Sequence, residues 1–200
     1  MKRILVTGFE PFGNQEINPS ELLATELAAS LPFVRSLILP VDFKEAFQEL
    51  LKFIEHQSQP FDSIVMLGQA SGRSQICLER MAHNWMENKK TDKKNPAVPA
   101  QQIFPGHPEA VMTTLPVEEI RDQLNLEFPH APVVVTLSAG VYVCNNLYYK
   151  VLSHQELKNT PALFIHVPLL PEQQKDSSHP VMEFKTQVQI LTALIESLKI

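Results

Sequence analysis

"RILVTG" (residues 3–8), then a polar loop, then "NPSELLATELAASL" (residues 18–31) is the stretch that decides the fold. The first segment is a short apolar run with the length and composition of a buried strand. The second starts as a helix should. Asn18 supplies a capping side chain, Pro19 takes the first helical position, and Glu21 stands three residues after the cap. The same succession recurs along the chain. Strands are expected at "VRSLIL" (34–39), "SIVML" (63–67), "QICLER" (75–80), "PVVVTL" (132–137) and "ALFIHV" (162–167), and helices at 41–57, 115–128, 145–157 and 179–200.

The helical segments carry the right period. Phe43, Ala46, Phe47, Leu50, Leu51 and Ile54 recur at spacings of three and four and form one apolar face, with Asp42 and Glu45 in capping relation ahead of it. Val181, Phe184, Val188, Leu191, Ile195 and Leu198 repeat the pattern in the last helix. Strands alternating with helices imply an α/β fold. The expectation is a single-domain α/β/α sandwich over residues 1–200, with a twisted, largely parallel (mixed) central sheet covered on both faces. Such sheets hold ligands at the carboxyl ends of their strands. The rhythm breaks near 84–114, where the proline-rich "KNPAVPAQQIFPGHPEA" (94–110) reads as a long irregular loop, a lid or an interface.

Composition narrows the function. A net charge of −5 argues against nucleic-acid binding, which needs clustered Lys and Arg to neutralise phosphates. The one basic cluster, "NKKTDKK" (88–94), is interrupted by Asp92 and reads as a solvated loop. No apolar run reaches the about 20 residues of a membrane span. With a strand expected from the second residue, no signal peptide is expected, and two distant cysteines suit a reducing cytoplasm. A Cys77–Cys144 disulfide is not expected. CxxC and metal-ligand spacings are absent, so neither a metal nor a cofactor is expected.

Candidate chemistry gathers at three places. In "LSAGVYVCNNLYY" (137–149), Cys144 stands where a strand-like run gives way, through a Ser138-Ala139-Gly140 turn, to a helix. Unsatisfied N–H groups and the positive end of the helix dipole favour a thiolate there, although packing is the alternative for any cysteine in apolar company. Cys77, between apolar neighbours, reads as packing. His166 in "LFIHVPLLP" sits near a strand's carboxyl end and is either a core histidine or the base that a cysteine nucleophile needs. Glu79 is a carboxylate inside an apolar strand, a placement that must be paired. Its partner is either an imidazole it orients, or Arg80 or Arg73 close by in sequence.

With "LVTGFEPFG" followed by "NPS", "GQASGRSQICLER", "AGVYVCNN" and "FIHVPLLPEQ", the chain resembles the pyrrolidone carboxyl peptidases, also called pyroglutamyl peptidase I. The motifs occur in the family's order and cover nearly the whole chain. The resemblance implies a cytosolic cysteine peptidase that removes N-terminal pyroglutamate from peptides, commonly a homotetramer. Its Glu, Cys and His triad falls on Glu79, Cys144 and His166. It also assigns the substrate pocket to the "GFEPFG" loop, hence Phe9 and Phe12 as walls, with Tyr142 and Val143 beside the nucleophile and Gln69 as a bonding partner for the lactam. The Cys144 N–H is a natural oxyanion donor. The family's "DARIPDN" segment reads "ENKKTDK" here, which puts Lys89 in place of an arginine thought to help the oxyanion. Lysine keeps the charge but loses the planar fork. Two other readings stay open: a cysteine hydrolase of changed acyl specificity, and a silent homologue that binds modified N-termini.

Overall fold

The computed structural model describes residues 2–13, 15–89, 97–174 and 179–198. Each of the six expected strands is found: β1 (Ile4–Phe9), β2 (Val34–Leu39), β3 (Ser63–Gln69), β4 (Ile76–Glu79), β9 (Val133–Thr136) and β10 (Ala162–Val167). They form one sheet in the order β2-β1-β3-β10-β4-β9. Every neighbouring pair runs parallel except β10 and β4, which are antiparallel, so β4 and β9 point against the other four.

The period of two in these strands sorts their side chains into two apolar layers. Ile4, Val6, Val65, Leu67, Ile76, Leu78, Leu163 and Ile165 face α1 (Pro19–Ser30), α3 (Val117–Glu127) and α5 (Phe184–Ser197). Leu5, Ile64, Met66, Ala162 and Phe164 face α2 (Glu45–Glu55) and α4 (Val143–Ser153). The result is a three-layer α/β/α sandwich whose two covers hold three and two helices. No helix among the described residues is long and apolar enough to cross a membrane.

Helix starts follow their capping chemistry. Asn18 Oδ1 accepts from Ser20 N and Pro19 opens α1. Asp42 Oδ1 accepts from both Lys44 N and Glu45 N at 2.7 Å, although regular helix begins only at Glu45. α4 begins two residues earlier than expected, at Val143, so Cys144 lies in its first turn. α5 begins later, at Phe184.

The stretch near 84–114 departs from the expected irregular loop. It is flanked and crossed by short strands: β5 (Met81–His83) pairs with β8 (Ala110–Met112), and β6 (Met86–Asn88) with β7 (Val98–Gln101), both antiparallel. Strands of three or four residues leave no periodic signal. Most of the basic cluster, residues 90–94, lies outside the described residues.

Buried asparagines bind this insertion to the body. Asn145, in α4, accepts from His83 N at 2.8 Å and donates to His83 O at 2.9 Å and to Trp85 O at 2.8 Å. Asn84 does the same for Phe104, accepting from its N and donating to its O. Asn145→Ala would leave one N–H and two carbonyls without their partner in a partly buried contact. We expect a loss of about 2–3 kcal/mol in urea unfolding, with Asn145→Asp intermediate because it keeps the acceptor. A loss below about 0.5 kcal/mol, the range of an ordinary surface substitution, would contradict the clamp.

Candidate active site

The site is built on one row of the sheet. Gly68 of β3, His166 of β10 and Cys77 of β4 are register partners side by side. Because Leu163, Ile165 and Val167 face the other layer, His166 points toward α4. Gly68 leaves a gap in that row. A Cβ built there would stand 2.7 Å from the Phe164 ring and 3.1 Å from Cys144 Sγ. The sulfur therefore occupies the space above Gly68, next to the histidine's place in the sheet. Gly140, with φ of 81°, makes the turn that leads the chain from β9 into α4.

Glu79 reaches the same place from the antiparallel strand. It pairs in register with Phe164, which puts its side chain diagonally across from His166. His166 Nδ1 lies 2.7 Å from Glu79 Oε1, and Glu79 is fully buried. A buried carboxylate is costly unless its oxygens are bonded. Here Arg73 Nη1 stands 3.2 Å from Oε1, Thr136 Oγ1 donates to Oε2, and Tyr148 Oη donates to the Glu79 backbone oxygen at 2.9 Å. Arg80 turns to the opposite face and pairs with Glu118. Glu79 thus has both kinds of partner considered from the sequence, an imidazole and an arginine. An imidazole whose Nδ1–H donates to a carboxylate keeps its lone pair on Nε2, the tautomer a base requires.

Cys144 is half-buried, and the electrostatics around it correct a sequence expectation. Burial pushes its thiol up to about 12, with the charge of Glu79 adding to the rise. Its own backbone N–H at the helix N-terminus and the Arg73 guanidinium act in the thiolate's favour, but they do not prevail. The N-terminal position was read correctly, yet desolvation outweighs it. Cys77 is also raised, again chiefly by burial. Both are free thiols.

Between these groups opens a cavity of about 250 Å³. Cys144 and His166 lie in its wall, as do Phe9, Phe12, Gln69, Tyr142 and Val143. Asn18, Val41, Ala70, Arg73 and Ala139 complete most of the lining. The profile that describes the pyroglutamyl peptidases matches residues 2–199. The chain belongs to the pyroglutamyl peptidase family.

Curated relatives agree. A pyrrolidone-carboxylate peptidase of Thermococcus onnurineus is 37% identical over 201 residues, covering 98% of each chain. One of Vibrio vulnificus is 38% identical over 191 residues, covering 94% of this chain and 88% of that protein. Among solved structures, pyrrolidone carboxyl peptidase of Fervidobacterium islandicum superposes with a TM-score of 0.89 at 31% identity, over 100% of this chain and 99% of that one. Pyroglutamyl peptidase I of Bacillus amyloliquefaciens gives 0.86 at 32%, over 97% and 95%.

One expectation drawn from the family's motifs does not hold in the geometry. Lys89 is absent from the cavity wall. Its side chain is 81% exposed and its Nζ lies 3.4 Å from Glu87 Oε1. An ammonium in water beside a carboxylate has little field left to offer an oxyanion. The cation that does line the cavity is Arg73, held by Thr136 Oγ1 and the Ser138 carbonyl as well as by Glu79. Thr136, Tyr148 and Asn145 were also missed as supports, since strand pairing brings Thr136, and the packing of α4 brings the other two, to partners that no local spacing reveals.

Two measurements check this geometry. With a raised thiol pKa, the iodoacetamide rate at Cys144 should climb steeply, by about tenfold per pH unit, from pH 7 to 10, and Cys77 should react more slowly because it is buried. A rate flat across pH 6–9 would instead reveal a preformed thiolate. Gly68→Ala should lower stability by about 1–3 kcal/mol through overpacking and slow alkylation of Cys144. Unchanged alkylation would mean that the sulfur does not depend on the gap.

Proposed function

We propose that this chain hydrolyses the bond joining an N-terminal pyroglutamyl residue to the rest of a peptide, with Cys144 as nucleophile, His166 as general base and acid, and Glu79 as the group that orients the ring. The observation that carries this reading is the 2.7 Å contact from His166 Nδ1 to a fully buried Glu79, at the wall of the cavity that Cys144 shares.

Because the Cys144 thiol is held neutral, attack and deprotonation belong to one step. His166 Nε2 takes the thiol proton as sulfur adds to the carbonyl, and the imidazolium so formed is stabilised by Glu79. Negative charge on the former carbonyl oxygen is met by the Cys144 backbone N–H at the start of α4. Collapse of this intermediate breaks the C–N bond. His166 returns its proton to the leaving amine and a thioester remains. Water, deprotonated by the same imidazole, then releases pyroglutamic acid and restores the thiol.

Pyroglutamate is a flat lactam with no charged amine, so its pocket needs apolar walls and few amide partners. Phe9, Phe12 and Val143 supply the first, Gln69 the second, and Tyr142, packed edge-on to Phe43 at 5.2 Å, closes a side. We place the enzyme in the cytoplasm as a homo-oligomer, a tetramer by family resemblance. Two free thiols support the first statement and the exposed Trp85, Met112 and Leu137 support the second.

On a pyroglutamyl chromogenic amide, the wild type should turn over, while Cys144→Ser and His166→Ala should each lose at least about 10³-fold in kcat/KM. Glu79→Gln should fall by a similar order, since the ring then loses its tautomer control. Comparable turnover in all four proteins would sink the peptidase reading. A silent wild type that cleaves prolyl or alanyl amides would move the acyl specificity elsewhere.

A further inference from the structure

Gln173 ends the 3₁₀ turn Pro171–Gln173, is buried to 6% exposure, and lies outside the cavity wall. Its amide is pinned by two backbone groups whose polarity is not open to choice. Leu170 N donates to its Oε1 at 3.1 Å, and its Nε2 donates to the Ile17 carbonyl at 3.2 Å. A backbone N–H cannot accept and a backbone carbonyl cannot donate, so the Gln173 amide has one orientation. The same Nε2 lies 2.9 Å from Gln69 and 3.5 Å from Gln15 Oε1. Whatever atom of Gln69 faces it must be an acceptor, which makes that atom Oε1.

This orientation passes along the chain of amides. With Gln69 Oε1 committed to Gln173, its Nε2 is left as the group that can serve the cavity it lines, and no described residue accepts from it. Gln173 also ties Gln69 to Gln15 and Ile17, in the loop that carries Phe12 between β1 and α1.

We propose that Gln173 is a positioning residue for specificity: it fixes Gln69 so that an N–H₂ donor, rather than a carbonyl, faces the bound lactam, and it clips the Phe12 loop to that donor. The inference rests on the pyroglutamyl reading of the cavity and says which lactam atom Gln69 reads, namely the ring carbonyl. Gln173 touches neither the reacting carbonyl nor the triad, so its effect falls on binding and leaves the chemistry alone.

The test uses Gln173→Met, close in volume but without hydrogen bonds, and Gln69→Glu, which still accepts from Gln173 but offers the cavity no donor. For each, KM and kcat on a pyroglutamyl chromogenic amide, Ki for 2-pyrrolidone, Tm, and the iodoacetamide rate at Cys144 are measured. In Gln173→Met, KM and Ki should rise about tenfold, with kcat and alkylation within about threefold. Gln69→Glu should lose at least as much affinity for 2-pyrrolidone, and decides the matter if Gln173→Met does not fold. Unchanged Ki in the folded variants would overturn the proposal, as would a fall in kcat and alkylation with Ki unmoved, which marks a purely structural role. A wild type without turnover would instead count against the pyroglutamyl reading itself.

Discussion

The burial of one carboxylate organises this molecule. Glu79 has no exposure, and an ionised carboxylate in such a place is tolerated only if its oxygens are bonded and its charge is balanced. Oε1 meets the imidazole of His166 and the guanidinium of Arg73, and Oε2 meets the hydroxyl of Thr136. These partners come from β10, from the loop before β4, and from β9. The reversal of β4 and β9 within an otherwise parallel sheet makes the meeting possible. It brings the end of β4 against the middle of β10, where diagonal neighbours across an antiparallel pair can touch.

Arg73 shows how a supporting charge shapes the electrostatics around it. It faces the acid, the thiol and the cavity together, and it favours ionisation of Cys144 while the nearby Glu79 opposes it. A helix N-terminus is a weak, short-ranged source of positive potential. In a crowded apolar wall the loss of water is the larger effect, and it favours the neutral thiol of Cys144. In the mechanism we propose, the histidine then creates the nucleophile as well as protonating the leaving group.

Much of this was legible in the sequence because strands and helices declare themselves by period. The six sheet strands, the capped start of α1 and the apolar face of α2 all follow from patterns within a dozen residues. The same alternation explains why Arg80 does not pair with Glu79: one residue further along the chain, it turns to the other face and meets Glu118. The short strands between 81 and 112 carry no such pattern and are held by Asn84 and Asn145, whose value lies in partners some 20 to 60 residues away. Lys89 misled because a place in a motif fixes a residue's order in the chain but not the direction of its side chain.

Gly68 carries a consequence for how the family can diversify. His166 and Gly68 are register partners in a hydrogen-bonded ladder whose spacing is set by backbone geometry, and the sulfur, carried by α4, rests in the space that Gly68 leaves beside the histidine's strand. A change in the loops around the cavity leaves that ladder spacing as it is. The same arrangement makes any larger side chain at position 68 displace Phe164 or the sulfur, so the freedom around the rim rests on the smallest residue in the floor.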